Sequence, residues 1–165
     1  MYDLKNFGIH GQEEVSAVGA NAKMNEFCAA MGICNLRHVD DEIKKRRAVY
    51  ETYHNFLDGV EGLQFAEPQP DVKPNYAYFP LVVHEDKFGA SRNEVAEHLK
   101  TKEIYARKYF YPLTSAFSCY SDQYDPSDTP IAQYISDRVL TLPMYADLPT
   151  ADVERICREI LSLKK

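Results

Sequence analysis

The chain has 165 residues, of which 45% are hydrophobic and 27% are charged, and its formal net charge at pH 7 is −6. This composition is typical of a folded globular protein with enough residues for one ordinary domain, and it excludes a disordered tail. The acidic balance argues against general nucleic-acid binding, because that function needs a basic face.

The sequence predicts neither a membrane anchor nor a metal site. No apolar run reaches the roughly 18 residues that a membrane-spanning helix requires. The start, MYDLKNFGIHG, lacks an apolar stretch followed by small residues, so a secretory signal is not expected and a cytoplasmic location is favoured. The 4 cysteines and 5 histidines show no C-x-x-C or H-E-x-x-H spacing, and free thiols are expected.

The N-terminal part is predicted to be irregular and then helical. Three breakers interrupt the first stretch: Gly8, Gly11 and Gly19. Asn25 is predicted to cap a helix, because its side-chain oxygen can accept from the first turn. The apolar face of this helix carries Phe27, Ala30, Met31 and Cys34. Gly32 lowers the stability of the helix, so we expect a neighbour to pack closely there.

A second helix is predicted over residues 40–57. Its stripe recurs at steps of three and four residues and consists of Leu36, Val39, Ile43, Arg46, Tyr50, Tyr53 and Leu57. Only Arg46 is not apolar, and its long stem can lie on apolar surface. Gly59 is expected to end the helix in the left-handed conformation.

Three strands are predicted in the remaining chain, within Tyr76–Val83, Ile104–Phe110 and Val139–Pro143. The first is apolar on both faces and is expected to be covered on both sides. It contains Pro80, which lacks an N–H, so that side of the strand is expected to face an edge. Residues 66–75 are predicted to form a linking loop. The predicted order of strands and helices is compatible with both parallel and antiparallel pairing of the strands.

Three helices are predicted to back these strands. Ser91 and Glu94 form a capping box at the start of a helix that runs to about Thr101. Pro130 suits the first turn of a helix that runs to about Asp137. Thr150 is predicted to cap the last helix, whose apolar stripe is Val153, Ile156, Cys157, Ile160 and Leu161. Short strands backed by helices predict an α/β fold.

Without reference to any known family, the sequence contains two candidate anion sites and no motif of a catalytic nucleophile. The loop Gly19–Lys23 precedes a helix, where unpaired N–H groups and the helix dipole favour an anion. The run Arg107–Tyr111 places two cations beside three aromatic side chains, which suits a phosphate and a ring. An edge strand with alternating exposed side chains explains the second run equally well.

The segment Gly19–Gly32, GANAKMNEFCAAMG, resembles the G-x-N-x-R-M-S/N-E-x-x-A-A-x-G segment of the DegT/DnrJ/EryC1/StrS family. Members of that family are pyridoxal-phosphate-dependent aminotransferases of fold type I that act on nucleotide-linked keto-sugars. Three further stretches agree with the family in the same order: NFGI at Asn6–Ile9, ARKYFYPL at Ala106–Leu113 and VLTLPMYADLPTADVERICREI at Val139–Ile160. The resemblance covers almost the whole chain.

The resemblance implies that this chain is the C-terminal portion of such an enzyme. Residues 1–24 would be the irregular end of the large domain, and residues 25–58 the long connecting helices. Residues 59–165 would be the small α/β domain, with a short three-stranded sheet and helices packed on it.

In the family, the Schiff-base lysine lies upstream, before a G-E-G-G stretch, and none of the 11 lysines here has that setting. Transamination needs both the lysine and the cofactor as electron sink. The resemblance therefore implies that this chain holds no catalytic residue, does not bind pyridoxal 5'-phosphate covalently and does not transaminate alone.

The resemblance assigns five binding residues. Asn21 matches the asparagine that reaches the cofactor phosphate of the partner subunit, which implies a homodimer. Lys23 replaces the usual arginine and keeps its charge but loses the bidentate fork. Arg107, Lys108 and Tyr109 are the candidates for the phosphates of the sugar nucleotide. The histidines of the family's H-Y-x-P-L-H turn are missing, as in the subgroup that aminates thymidine-diphosphate-linked sugars for surface polysaccharides.

Two functions remain open on the sequence. The first is part of a nucleotide-sugar aminotransferase, with an amino acid (glutamate in most of the family) as amino donor. The second is a non-catalytic remnant or interaction domain that retains the small-domain fold. In a whole enzyme of the family, the apolar helix face around Phe27 would pack against the large domain and the partner subunit. In the isolated chain this face would be exposed in either case. The isolated chain is expected to self-associate, or to leave its first roughly 25 residues disordered.

Overall fold

The protein is described here by a computed structural model that covers residues 2–7, 9–10, 14–15, 17–66, 69–120 and 122–165. The predicted breakers Gly8 and Gly11 lie outside these ranges. The chain divides into two compact units, Met1–Asp40 and Asp41–Lys165. The domain boundaries expected after residues 24 and 58 stay predictions.

The described residues of the first unit include two complete helices and a short hairpin. Helix α1 is Tyr2–Lys5, strands β1 (Ile9–His10) and β2 (Glu14–Val15) pair antiparallel, and helix α2 is Glu26–Leu36. Asn6 and Asn21 form an isolated antiparallel bridge. Residues 20–22 are therefore held by backbone pairing with residues 4–7, although they form no helix or strand themselves.

Helix α2 begins as predicted and exposes its apolar face. The Asn25 side chain accepts a hydrogen bond from the Cys28 amide at 2.9 Å, which confirms the cap. No residue of α2 is buried, and Phe27 is 89% exposed. The close packing expected at Gly32 is wrong for this chain, because no described atom lies within 4 Å of a Cβ placed there.

Helix α3, Val39–Leu57, starts in the first unit and continues in the second. Only the last two residues of the predicted stripe, Tyr53 and Leu57, are fully buried, and Val49 is buried beside them from outside the stripe. The Tyr53 hydroxyl donates to the Pro143 carbonyl at 2.9 Å. Gly59 follows with φ +69°, which confirms the left-handed helix end.

The second unit is built on a three-stranded antiparallel sheet. Its strands are β3 (Leu63–Gln64), β4 (Phe79–Val83) and β5 (Val139–Leu142), in the order β3-β4-β5. Every residue of β4 except Pro80 is buried, which confirms that both faces are covered.

The strand predicted over Ile104–Phe110 is wrong. In that segment only Arg107 pairs with the sheet, through an isolated bridge to Thr141, and the chain then turns at Tyr109 and Phe110. The third strand is instead β3, in a stretch where the sequence indicates no element. Its two residues are too few to show the alternation that identifies a strand.

Pro80 lies in the central strand, yet its nitrogen meets no partner strand. Thr141 faces Pro80 in β5, but both backbone groups of Thr141 bond to Arg107 on the other side. On the opposite side, β3 pairs only with Val82 and Val83. Because β3 is short, the side of β4 at Pro80 has no partner strand there. Pro80, which cannot donate a backbone hydrogen bond, therefore lies at an edge of the sheet, as predicted.

Four helices complete the second unit: α4 (Glu85–Phe88), α5 (Arg92–Thr101), α6 (Pro130–Arg138) and α7 (Thr150–Leu161). Two 3-10 turns, Thr114–Ala116 and Pro126–Asp128, lie between α5 and α6. The capping box of α5 is confirmed in both directions. Thr150 is not the cap of α7, since it is already helical and Pro149 occupies the cap position without a side-chain hydrogen bond.

One apolar core holds the second unit together. It joins the C-terminal half of α3, strands β4 and β5, and helices α5 and α7. Val95 and Leu99 of α5 and Val153, Ile156, Cys157 and Ile160 of α7 are buried, as their periodicity predicts. Burial raises the pKa of the Cys157 thiol to about 12, so this cysteine is a neutral core residue.

Candidate functional site

The five predicted binding residues fall into the two units. Asn21 and Lys23 belong to the first unit, and Arg107, Lys108 and Tyr109 belong to the second.

The loop Gly19–Lys23 precedes helix α2, and two of its amides are paired with the start of the chain. The amides of Ala20 and Ala22 donate to the carbonyls of Leu4 and Lys5, and helix α2 begins only after Asn25. These two amides are therefore not available to an anion, and the anion site expected at this loop stays a prediction. The side chains of Asn21 and Lys23 are exposed.

Lys23 is oriented by its neighbours in the first unit. Its Nζ donates to the Asn6 Oδ1 at 3.3 Å and lies 5.0 Å from the centre of the Phe7 ring. Both contacts leave the ammonium group open to solvent, where it can reach a phosphate as a point charge.

In the second unit, residues 107–111 form a turn, here called the 107–111 turn. The turn is anchored to the sheet and to α6 through its backbone. The N–H and C=O of Arg107 both bond to Thr141, at 2.9 and 2.7 Å. The Ser136 hydroxyl of α6 donates to the Phe110 carbonyl at 2.9 Å.

The turn presents a cation and a pair of rings. The Arg107 Nη1 donates to the Tyr109 hydroxyl at 2.6 Å. The rings of Tyr109 and Phe110 stack with centroids 5.0 Å apart. Lys108 is half-buried and, among the described residues, has no hydrogen bond or ion pair.

Two cavities meet at this turn. The larger has a volume of about 840 Å³ and the smaller about 220 Å³, and both are lined by Tyr78, Tyr109 and Thr141. The larger cavity is mostly apolar, with Phe110, Leu113, Pro130, Ile131 and Ile135 in its wall. Arg107 lines the smaller cavity, and Lys108 lines neither.

This arrangement can bind an anion beside a ring. Arg107 is exposed and, within the described part of the chain, forms no ion pair, so its charge is available to a ligand. Tyr109 adds a hydroxyl and a stacking face next to an apolar cavity. The structure therefore brings Arg107 and Tyr109 together as predicted and leaves Lys108 outside the cavities.

Several residues of this site were not found from the sequence. Tyr78 directly precedes β4, and Ser136 and Thr141 lie in α6 and β5; all three are far from the 107–111 turn in the sequence. No short-range pattern marks them, because only the pairing of the sheet brings them to the turn. Among the described residues, no cluster of metal-binding side chains is present, and no helix is both long and apolar enough to cross a bilayer.

The model of the DegT/DnrJ/EryC1/StrS aminotransferase family matches residues 1–161, and the chain belongs to that family. Enzymes of this family depend on pyridoxal phosphate. The α/β fold with its small three-stranded sheet is the fold that the resemblance implies, and the similarity to solved aminotransferases confirms it.

Among curated proteins, the chain is 39% identical over 160 residues to the dTDP-4-amino-4,6-dideoxy-D-glucose transaminase of Escherichia coli, covering 96% of this chain and 43% of that protein. It is 28% identical over 156 residues to the GDP-perosamine synthase of Escherichia coli O157:H7, covering 94% of this chain and 41% of that protein. The chain thus spans less than half the length of these relatives.

Among solved structures, DesI, determined in the presence of its TDP-sugar product, matches with a TM-score of 0.84 and 28% identity. The match covers 98% of this chain and 41% of DesI. Almost the whole chain, including both units, therefore has a counterpart in less than half of DesI.

Proposed function

We propose that this chain is the C-terminal part of a pyridoxal-phosphate-dependent aminotransferase that acts on a nucleotide-linked keto-sugar. The family match and the relatives named for aminosugar synthesis support this proposal. The 39% identity to a dTDP-aminosugar transaminase favours a dTDP-linked deoxysugar, made in the cytoplasm for a surface polysaccharide. An amino acid serves as the amino donor, and the enzyme works as a homodimer.

The residues of this chain fit only part of a pyridoxal-phosphate site. The cofactor supplies the electron sink, but its attachment needs a lysine whose pKa is lowered by burial or by a neighbouring cation. All 11 lysines lie in the described ranges; 10 are exposed, and Lys108 is half-buried. The exposed lysines are solvated and Lys108 lines neither cavity, so none suits covalent attachment, and no chemical step is assigned to this chain.

The contribution of this chain is binding. In the proposed role, Arg107 and the Tyr109 hydroxyl hold the diphosphate of the substrate, with Lys108 adding positive charge nearby. The apolar wall of the larger cavity accepts a ring beside Tyr109 and Phe110 and excludes water from it. In the first unit, Asn21 contacts the cofactor phosphate of the partner subunit, and Lys23 contacts a substrate phosphate.

One observation carries the proposal for the second unit: the Arg107 guanidinium donates to Tyr109 at the point where the two cavities meet. Thymidine diphosphate, titrated into the chain by calorimetry, tests it. We expect measurable binding, and we expect Arg107→Gln to weaken it by about 10-fold to 100-fold, since a charged hydrogen bond contributes about 1.5–3 kcal/mol.

Arg155→Gln is the matched control, because Arg155 is another exposed arginine of the same unit and lines neither cavity. This variant has the same change in net charge and should bind thymidine diphosphate as the unchanged chain does. Equal affinities in the two variants would contradict the role of Arg107. No binding to the unchanged chain would contradict the proposed phosphate site.

The exposed apolar face of α2 favours a second candidate, an interaction domain that retains the small-domain fold without catalysis. Such a domain would bind a separate protein rather than complete an enzyme. Mixing the chain with a separately produced N-terminal half of a family aminotransferase distinguishes the two. Recovery of transamination supports the enzyme, whereas a complex without activity supports the interaction domain.

A further inference from the structure

Arg92, the first residue of α5, is a buried charged side chain. Its exposed fraction is 4%, and its Nη1 donates to two backbone carbonyls, that of Ser136 at 3.3 Å and that of Val139 at 3.1 Å. These carbonyls lie at the C-terminal end of α6, where the helix dipole is negative and attracts a cation.

Arg92 also contacts the 107–111 turn. Its guanidinium lies 4.7 Å from the centre of the Tyr111 ring, a cation–π geometry. Ser136, whose carbonyl accepts from Arg92, uses its hydroxyl to hold the Phe110 carbonyl. Arg92 therefore supports the turn twice, directly through Tyr111 and indirectly through Ser136.

Burying the Arg92 guanidinium costs solvation free energy. This argues against the view that Arg92 only fills space in the core. Arg92 Nε is buried and has no hydrogen-bond partner among the described residues. Burial lowers the pKa of the guanidinium, while Tyr111 and Asp137 raise it. A buried charge is weak evidence for stability, because an apolar side chain of similar volume often serves as well.

We propose that Arg92 is a positioning residue, which holds the 107–111 turn in the shape that presents Arg107 and Tyr109 to the substrate. The link to substrate rests on the proposed function. The link between Arg92 and the turn rests on the contacts to Tyr111 and Ser136 alone. The two can therefore fail separately.

Limited trypsin digestion tests the link to the turn, since trypsin cleaves after Arg107 and Lys108, within the turn itself. The measured quantity is the ratio of cleavage after these two residues to cleavage after Arg155 in α7, read by mass spectrometry. We expect Arg92→Met to raise this ratio by about tenfold, which corresponds to the roughly 1–2 kcal/mol of a desolvated cation–π contact with its hydrogen bonds. We expect a smaller rise in Arg92→Lys, which keeps the charge.

Val95→Ala is the matched control, because Val95 is a fully buried residue of the same helix and belongs to the apolar core. This variant should increase cleavage at all sites without changing the ratio. An unchanged ratio in Arg92→Lys and Arg92→Met would overturn the proposal. If Arg92→Met does not fold, the ratio in Arg92→Lys decides.

Thymidine diphosphate affinity provides the second readout. We expect Arg92→Met to weaken binding by about tenfold at a temperature where the variant is folded, with Val95→Ala unchanged. If the ratio rises but affinity does not fall, the positioning of a binding site is refuted, although the contact with the turn stands. If the unchanged chain does not bind, the proposed function fails, and the cleavage ratio still decides the link between Arg92 and the turn.

Discussion

Single residues with positive φ show how strongly close packing constrains this fold. Gly59 and Gly62 both have left-handed backbone, with φ +69° and +86°. A Cβ at Gly59 would meet no described atom within 4 Å, whereas one at Gly62 would overlap the Phe88 backbone, with the Cα at 2.7 Å. A side chain at Gly59 would therefore test only the energetic cost of positive φ. A side chain at Gly62 would add the energetic cost of steric overlap.

We predict that Gly59→Ala lowers the free energy of unfolding by about 1 kcal/mol, the cost of placing a Cβ at positive φ. Gly62→Ala should lower it by about 3 kcal/mol, because overpacking against a rigid backbone is added. Urea denaturation of the two variants measures the difference. Equal losses would show that the loop at Gly62 adjusts freely.

Among the elements, α2 and α7 show why an apolar stripe does not by itself predict burial. Both stripes are read from the same periodicity, yet α7 buries Val153, Ile156 and Cys157 while α2 buries nothing. The large apolar side chains of α2, such as Phe27 and Met31, are exposed among the described residues. Exposed apolar surface of this kind promotes association in water.

We predict that the chain self-associates through α2 and that Phe27→Ser weakens this association. Ile131→Ser is the control, since Ile131 is 80% exposed on α6 of the second unit. Sedimentation velocity at several concentrations should show a shift towards the monomer only for Phe27→Ser. A monomeric unchanged chain, or equal effects of the two variants, would contradict the prediction.

For the whole molecule, the distribution of lysines determines what the chain can do with pyridoxal phosphate. Exposed lysines keep an ammonium group at neutral pH and react weakly with an aldehyde, whereas a cofactor-binding lysine needs a site that favours the neutral amine. All but one of the lysines here are exposed. The binding residues can therefore be present without the attachment site.

We predict that one equivalent of pyridoxal phosphate followed by borohydride leaves no lysine of this chain modified in good yield. Intact-mass and peptide mass spectrometry measure the yield at each lysine. Low-level modification spread over exposed lysines agrees with the prediction. Stoichiometric labelling of one lysine would show that the chain holds an attachment site of its own.

The sequence by itself determined the features that depend on near neighbours in the chain. The Asn25 cap, the capping box at Ser91 and Glu94 and the periodic burial of α5 and α7 each follow from residues within a few positions of one another. The family resemblance was likewise carried by contiguous motifs, and the match over residues 1–161 confirms it.

Only the tertiary structure decided which segments form the sheet and what surrounds the 107–111 turn. Strand β3 is too short to show a period, and the segment after Ile104 looks like a strand although only Arg107 pairs. In the sequence, Arg92 resembles any residue at the start of a helix. Its burial against Tyr111 and the end of α6 is visible only in the structure. These features depend on contacts between residues that are distant in the sequence, and local patterns carry no record of such contacts.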